Sequence, residues 1–205
     1  MNVITQQFVE INQNARTHFI LNHLDNNPRL LRLFGVACYR LIPTKYSWKE
    51  CDNAIDVAEK YADKLLKEKE REAATNAIKM ETGKSVNVGR AAIVASSLIS
   101  FSTTFDYVYL AFLDYRHINW RKDLVFQTGE ILTNMNRQIW DDSWGTKDVK
   151  ALAETIYNDK RYELMPILSD ALQEAGCQEK EILEYCQKGP FFRGCWVLDK
   201  ATGKR

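Results

Sequence analysis

Apolar side chains recur at three- and four-residue steps along most of this chain, and that spacing restricts its fold more than any other feature. It is clear in residues 5–24, at Phe8, Ile11, Ala15 and Phe19. Residues three or four apart share one face of an α-helix, so each such run predicts a helix that buries that face. Only 9 glycines and 4 prolines interrupt the 205 residues. The pattern predicts an all-α fold, an irregular multi-helix bundle.

Two local signals mark helix starts near the N-terminus. Asn27-Pro28 places a capping side chain before a proline suited to the first helical turn, which predicts a helix ended by Pro43. Residues 47–50, Ser-Trp-Lys-Glu, form a capping box, in which the serine and glutamate side chains bond each other's free backbone amides. The helix behind it is predicted to bury one stripe, made of Trp48, Cys51, Ile55, Ala58, Ala62 and Leu65.

The middle of the chain is less regular. Between residues 64 and 72 positive and negative charges alternate, which is typical of a solvated helix face. A turn at 82–85 precedes an apolar helical stretch at 88–120. Its most apolar part, residues 91–113, contains Asp106, which favours a buried helix over a membrane span.

The C-terminal part is predicted to form three helices, at about 146–157, 163–175 and 179–187, with Gly176 ending the second. Beyond Gly189-Pro190, residues 191–198 fit either a short strand or an extended tail docked on the core. We expect a helical N-terminal and central lobe at 1–127, an irregular connection at 128–147 and a C-terminal helical unit at 148–205, or one continuous domain.

Charge and cysteine content bear on two questions: whether the chain binds nucleic acid and whether its cysteines form disulfides. Lys and Arg number 28 against 27 Asp and Glu, so the basic excess usual in nucleic-acid-binding proteins is missing. The 5 cysteines are an odd number, and the first residues lack the basic and apolar regions of a secretory signal. We therefore expect free thiols in a reducing cytoplasm.

Two stretches of the chain have distinctive sequences. The first is Leu-Arg-Leu-Phe-Gly-Val-Ala-Cys at 31–38, followed by the predicted helix at 54–63. The second is Leu-Ser-Asp-Ala-Leu-Gln-Glu-Ala-Gly-Cys at 168–177, followed by Gly189-Pro190 and Arg-Gly-Cys-Trp at 193–196. Together they resemble a large paralogous family of bacterial proteins, abundant in planctomycetes, whose members are mostly hypothetical proteins. The family often has histidine after the Gly-Pro, where this chain has Phe191. The resemblance implies a helical fold and no assigned activity.

The cysteines offer the first candidate chemistry. Cys177, Cys186 and Cys195 are nine residues apart, whereas structural zinc sites use cysteines two to four residues apart, and no histidine lies nearby. Packing inside the core is the favoured interpretation, and neither metal nor cofactor is predicted. The cation of Arg193 would lower the pKa of a neighbouring thiol, so a thiol enzyme or sensor at Cys195 stays open as an alternative.

Two further motifs are incomplete. Asp114-x-x-His117 matches half of a di-metal bundle motif, but His18 and His23 lack an acid three residues before them. Thr-Gly-Lys-Ser at 82–85 resembles the end of a phosphate-binding loop, but Ile78 replaces the required first glycine. The simpler interpretation of Asp114 and His117 is that they lie at the solvent-exposed end of the core. The simpler interpretation of residues 82–85 is a turn between two helices.

The leading functional hypothesis is a non-catalytic protein-interaction or adaptor subunit of a bacterial intracellular complex, with a protein partner and no membrane contact. Aromatic side chains, 11% of the chain, are favoured anchors in interfaces. An accessory nucleic-acid-binding role, using Arg116, Arg121 and Lys122, is the third possibility. The candidate interaction or tail-anchor residues are Trp140, Trp144, Phe191, Phe192, Arg193, Cys195 and Trp196.

Overall fold

The computed structural model describes residues 27–40, 49–82 and 139–204. These residues form seven α-helices and no strand, which confirms the all-α class. The chain divides into two compact units, Met1–Glu130 and Ile131–Arg205, each described on its own. The helices are α1 (Pro28–Arg40), α2 (Lys49–Ala62), α3 (Glu68–Thr82), α4 (Lys147–Asp159), α5 (Met165–Glu174), α6 (Lys180–Lys188) and α7 (Trp196–Thr202).

Helix α1 begins as its sequence predicts. The Asn27 side-chain oxygen accepts a hydrogen bond from the Leu30 amide at 3.1 Å, and Pro28 is the first helical residue. Every residue from Leu30 to Ala37 is buried, so α1 is enclosed on all sides rather than along one stripe. The predicted stop at Pro43 lies outside the described residues.

Helix α2 buries Cys51, Ile55, Ala58 and Ala62, as its periodicity predicts. Leu65, predicted on the same stripe, is instead 55% exposed. The reason is that α2 ends at Ala62, and Lys64 takes a left-handed conformation (φ 58°) that turns the chain toward α3. The predicted capping box at 47–50 lies partly outside the described residues.

Charged side chains link α1, α2 and α3. The Arg29 guanidinium donates to Asp63, just after α2, at 2.8 Å, and Arg40 binds both carboxylate oxygens of Glu59, whose side chain is 1% exposed. On α3, Arg71 is buried and bonded to Glu68, so the prediction of a fully solvated face is wrong at this residue. The Arg71 side chain is covered because its guanidinium also lies 5.8 Å from the Tyr61 ring centroid on α2.

Several predictions fall outside the described residues. They include the helix at 5–24, the stretch at 88–120 with Asp106, Asp114 and His117, and the basic set Arg116, Arg121 and Lys122. None of the helices in the described ranges is long and apolar enough to cross a membrane.

The C-terminal unit follows its capping signals closely. The Thr146 hydroxyl accepts from the Val149 amide at 3.3 Å and begins α4. Helix α5 ends in a Schellman motif, in which the Cys177 amide donates to Leu172 and the Gly176 amide to Gln173. Gly176 has φ +94°, a conformation that favours glycine, which confirms it as the residue that ends α5.

The predicted strand-like tail does not form. Phe191 and Phe192 lack regular structure, and Trp196–Thr202 forms α7. Short segments become helical when tertiary packing buries one face, and Trp196, Val197, Leu198 and Ala201 of α7 are all buried. The part of the predicted connection that is described, 139–147, contains a 3-10 helix at Asp142–Trp144 and the first residue of α4, Lys147. The predicted domain limits stay a prediction.

Candidate functional site

The tail enters the core through a sharp bend at Gly189-Pro190, a cis peptide bond. Gly189 has φ +65°, and a Cβ there would lie 3.2 Å from the Phe191 amide nitrogen, so only glycine fits without displacement. The Tyr185 hydroxyl of α6 donates to the Pro190 carbonyl at 2.8 Å, and the Tyr185 ring meets Phe191 edge to face at 5.8 Å. Helix α6 therefore fixes the start of the tail.

Residues 192–195 form a tight turn that explains the Arg-Gly-Cys order. The Cys195 amide donates to the Phe192 carbonyl at 3.2 Å, which closes a four-residue turn. Gly194, its third residue, has φ +91°, as turns with a left-handed third residue require. The Cys195 carbonyl then accepts from the Asp199 amide at 3.0 Å and opens α7.

The charged side chain of Arg193 is buried and binds backbone carbonyls inside the fold. Its Nη2 donates to the carbonyls of Tyr157 (3.0 Å) and Asn158 (3.1 Å), at the end of α4, and its side chain is only 4% exposed. Carbonyls in the last helical turn lack helical partners and carry the negative end of the helix dipole, so a cation stabilises them. The guanidinium also lies 5.1 Å from the Tyr157 ring centroid. Arg193 is a C-terminal cap for α4, supplied from 36 residues away.

The Cys195 thiol is not activated. Cys195 has 0% exposure, and burial, the largest influence on this thiol, raises its pKa to about 11. The expectation that Arg193 would lower this pKa is wrong, because the guanidinium is directed to the end of α4. Burial likewise raises the pKa of Cys177 and of Cys186.

The three cysteines of the C-terminal unit pack as small apolar side chains in one core. Cys177, Cys186 and Cys195 are free and fully buried there. Within the residues that the structure describes, no three His, Cys, Asp or Glu side chains converge as metal ligands do.

Trp196 is the largest fully buried side chain among the described residues, with 1% exposure. It lies in the first turn of α7 within the core of the C-terminal unit, and α7 contacts α4. Arg193, Cys195 and Trp196 thus all face inward, and the tail closes this core.

Of the other four candidate residues, three lie nearer the surface. Trp140 is buried, and the half-buried Trp144 meets it edge to face at 5.9 Å. Phe191 and Phe192 are half-buried at the edge of the core. The structure thus separates the seven candidates into an inner group and a partly exposed group.

Sequence reasoning missed two residues of this site. The Tyr157 ring makes cation–π contacts with the Arg193 guanidinium and with the Lys204 ammonium, which lies 4.8 Å from the ring centroid. Tyr185 hydrogen-bonds the Pro190 carbonyl and packs against the Phe191 ring. Both tyrosines lie on apolar helix faces, so their spacing predicts only burial. No local signal distinguishes a core tyrosine that also supports the tail.

No protein-family model, curated protein or solved structure matches this chain. The candidate site is therefore defined by the geometry of this chain alone.

Proposed function

We propose that this protein is a non-catalytic interaction or adaptor module, and that a protein partner binds the partly exposed aromatic side chains of the C-terminal unit. The observation that carries the proposal is the partial exposure of the Phe191 and Phe192 side chains. They stay half-buried, although Arg193, Cys195 and Trp196 directly after them are buried. Trp144 is a third aromatic of the same unit with intermediate exposure.

The way these phenylalanines are held supports a binding role. Gly189, Tyr185 and the turn at 192–195 fix the backbone on both sides of them. A side chain held before binding loses less conformational entropy when a partner arrives, so fixed aromatics make effective anchors. Aromatic side chains are also enriched at the centres of protein interfaces.

The described residues give less support to the alternatives. A thiol enzyme or sensor requires an accessible thiolate, and Cys195 is fully buried with a raised pKa. In residues 139–204 acidic side chains outnumber basic ones, which disfavours phosphate-driven binding by this part of the chain.

We further propose that the protein acts in a bacterial cytoplasm and belongs with the family that its Arg-Gly-Cys-Trp tail resembles. The free thiols of Cys51, Cys177, Cys186 and Cys195 support a reducing compartment. The partner is to be identified by affinity capture from the native host.

The test is quantitative affinity capture from the native host with three baits: the wild-type chain, Phe192→Ala and Ile167→Ala. Ile167 is 52% exposed on α5 and is a matched surface truncation outside the aromatic set. We expect one stoichiometric partner with the wild-type and Ile167→Ala chains and at least a tenfold loss with Phe192→Ala. Melting temperatures of the three chains control for misfolding.

Two outcomes would contradict the proposal. One is repeated recovery of the chain alone, and the other is equal loss of the partner with Phe192→Ala and Ile167→Ala. Light scattering of the purified chain distinguishes the first outcome, a chain without a partner, from association with a second copy of itself.

A further inference from the structure

No further inference is drawn: the strongest candidate, the cluster of Arg32, Tyr61, Glu68 and Arg71 where α1, α2 and α3 meet, is held together by its own hydrogen bonds and cation–π contacts, and nothing in the structure shows a ligand that reaches it.

Discussion

The helices described in the N-terminal unit and those of the C-terminal unit use charge differently. Arg40 of α1 binds Glu59 of α2, whose carboxylate is buried, so this ion pair joins two helices. In the C-terminal unit, pairs such as Lys180–Glu184 lie on the surface within one helix, where a pair contributes about 0–1 kcal/mol. Its buried cation, Arg193, binds backbone carbonyls instead. Shielded ion pairs thus select helix partners in the first unit, whereas the tail closes an apolar core in the second.

The largest expected effect is from Trp196→Ala. Truncation of a fully buried aromatic removes its transfer free energy and leaves a cavity, which costs about 3–5 kcal/mol. Urea unfolding should show this loss, and hydrogen exchange should show reduced protection across α4 to α7. The half-buried Trp144→Ala is the matched control and should cost clearly less. Equal losses for the two variants would mean that Trp196 does not anchor the core.

Arg193→Met should cost about 2–3 kcal/mol, because the charged hydrogen bonds to the carbonyls of Tyr157 and Asn158 are lost, and the first of these bonds is buried. Faster hydrogen exchange in the last turn of α4 should accompany the change. Arg161→Met, at an exposed ion pair with Glu163, is the control and should stay within about 0.5 kcal/mol. If Arg193→Met behaves like Arg161→Met, the capping role is wrong.

Alkaline pH should weaken the C-terminal unit through its buried thiols. The folded-state pKa of Cys195 is raised to about 11 from an ordinary 9.0, so between these values the unfolded chain ionises this thiol and the folded chain does not. Stability is therefore full below pH 9 and falls by about 1.4 kcal/mol per pH unit between 9 and 11 for this group.

Cys195→Ala isolates this contribution from those of other groups that titrate in the same range. The pH dependence of its urea unfolding should be shallower than that of the wild-type chain by that amount. Identical pH dependence for the two chains would show that Cys195 is not buried as a thiol.

Glu59→Gln should have a smaller effect, about 1–2 kcal/mol, because glutamine keeps one hydrogen bond to Arg40 and Arg40 also binds Asp56 at 3.0 Å. Hydrogen exchange of α1 and α2 is the measurement. Glu72→Gln, on the exposed side of α3, is the control and should change stability by less than about 0.5 kcal/mol. Equal stability of the two variants would show that the Arg40–Glu59 ion pair does not stabilise the contact between α1 and α2.

Local rules predicted much of the fold, because caps and glycine positions depend on neighbouring residues. Asn27 starts α1 and Gly176 ends α5 as the sequence indicates. The turn after Ala62 was missed because Lys64, not glycine or asparagine, takes the left-handed conformation. Helix formation at 196–202 was missed for a different reason: it depends on burial against residues distant in the chain.

The site was harder to predict because sequence neighbours need not interact. Arg193 stands two residues before Cys195, which suggested an activated thiol, yet its guanidinium binds Tyr157 and Asn158 of α4. The burial of Arg71 likewise depends on Tyr61, which belongs to another helix. Such contacts are set by tertiary packing, which a single charge pattern does not encode.

Thiol labelling of the native chain tests most directly whether the tail closes the core. Iodoacetamide at pH 8, followed by peptide mass spectrometry, reports each cysteine separately. Because Cys195 is fully buried with a pKa of about 11, we predict modification at least a hundredfold slower than in the urea-unfolded chain. Labelling of Cys195 in the native chain as fast as in the unfolded chain would contradict the claim that the tail closes the core. Cys195 would then be an accessible, reactive thiol.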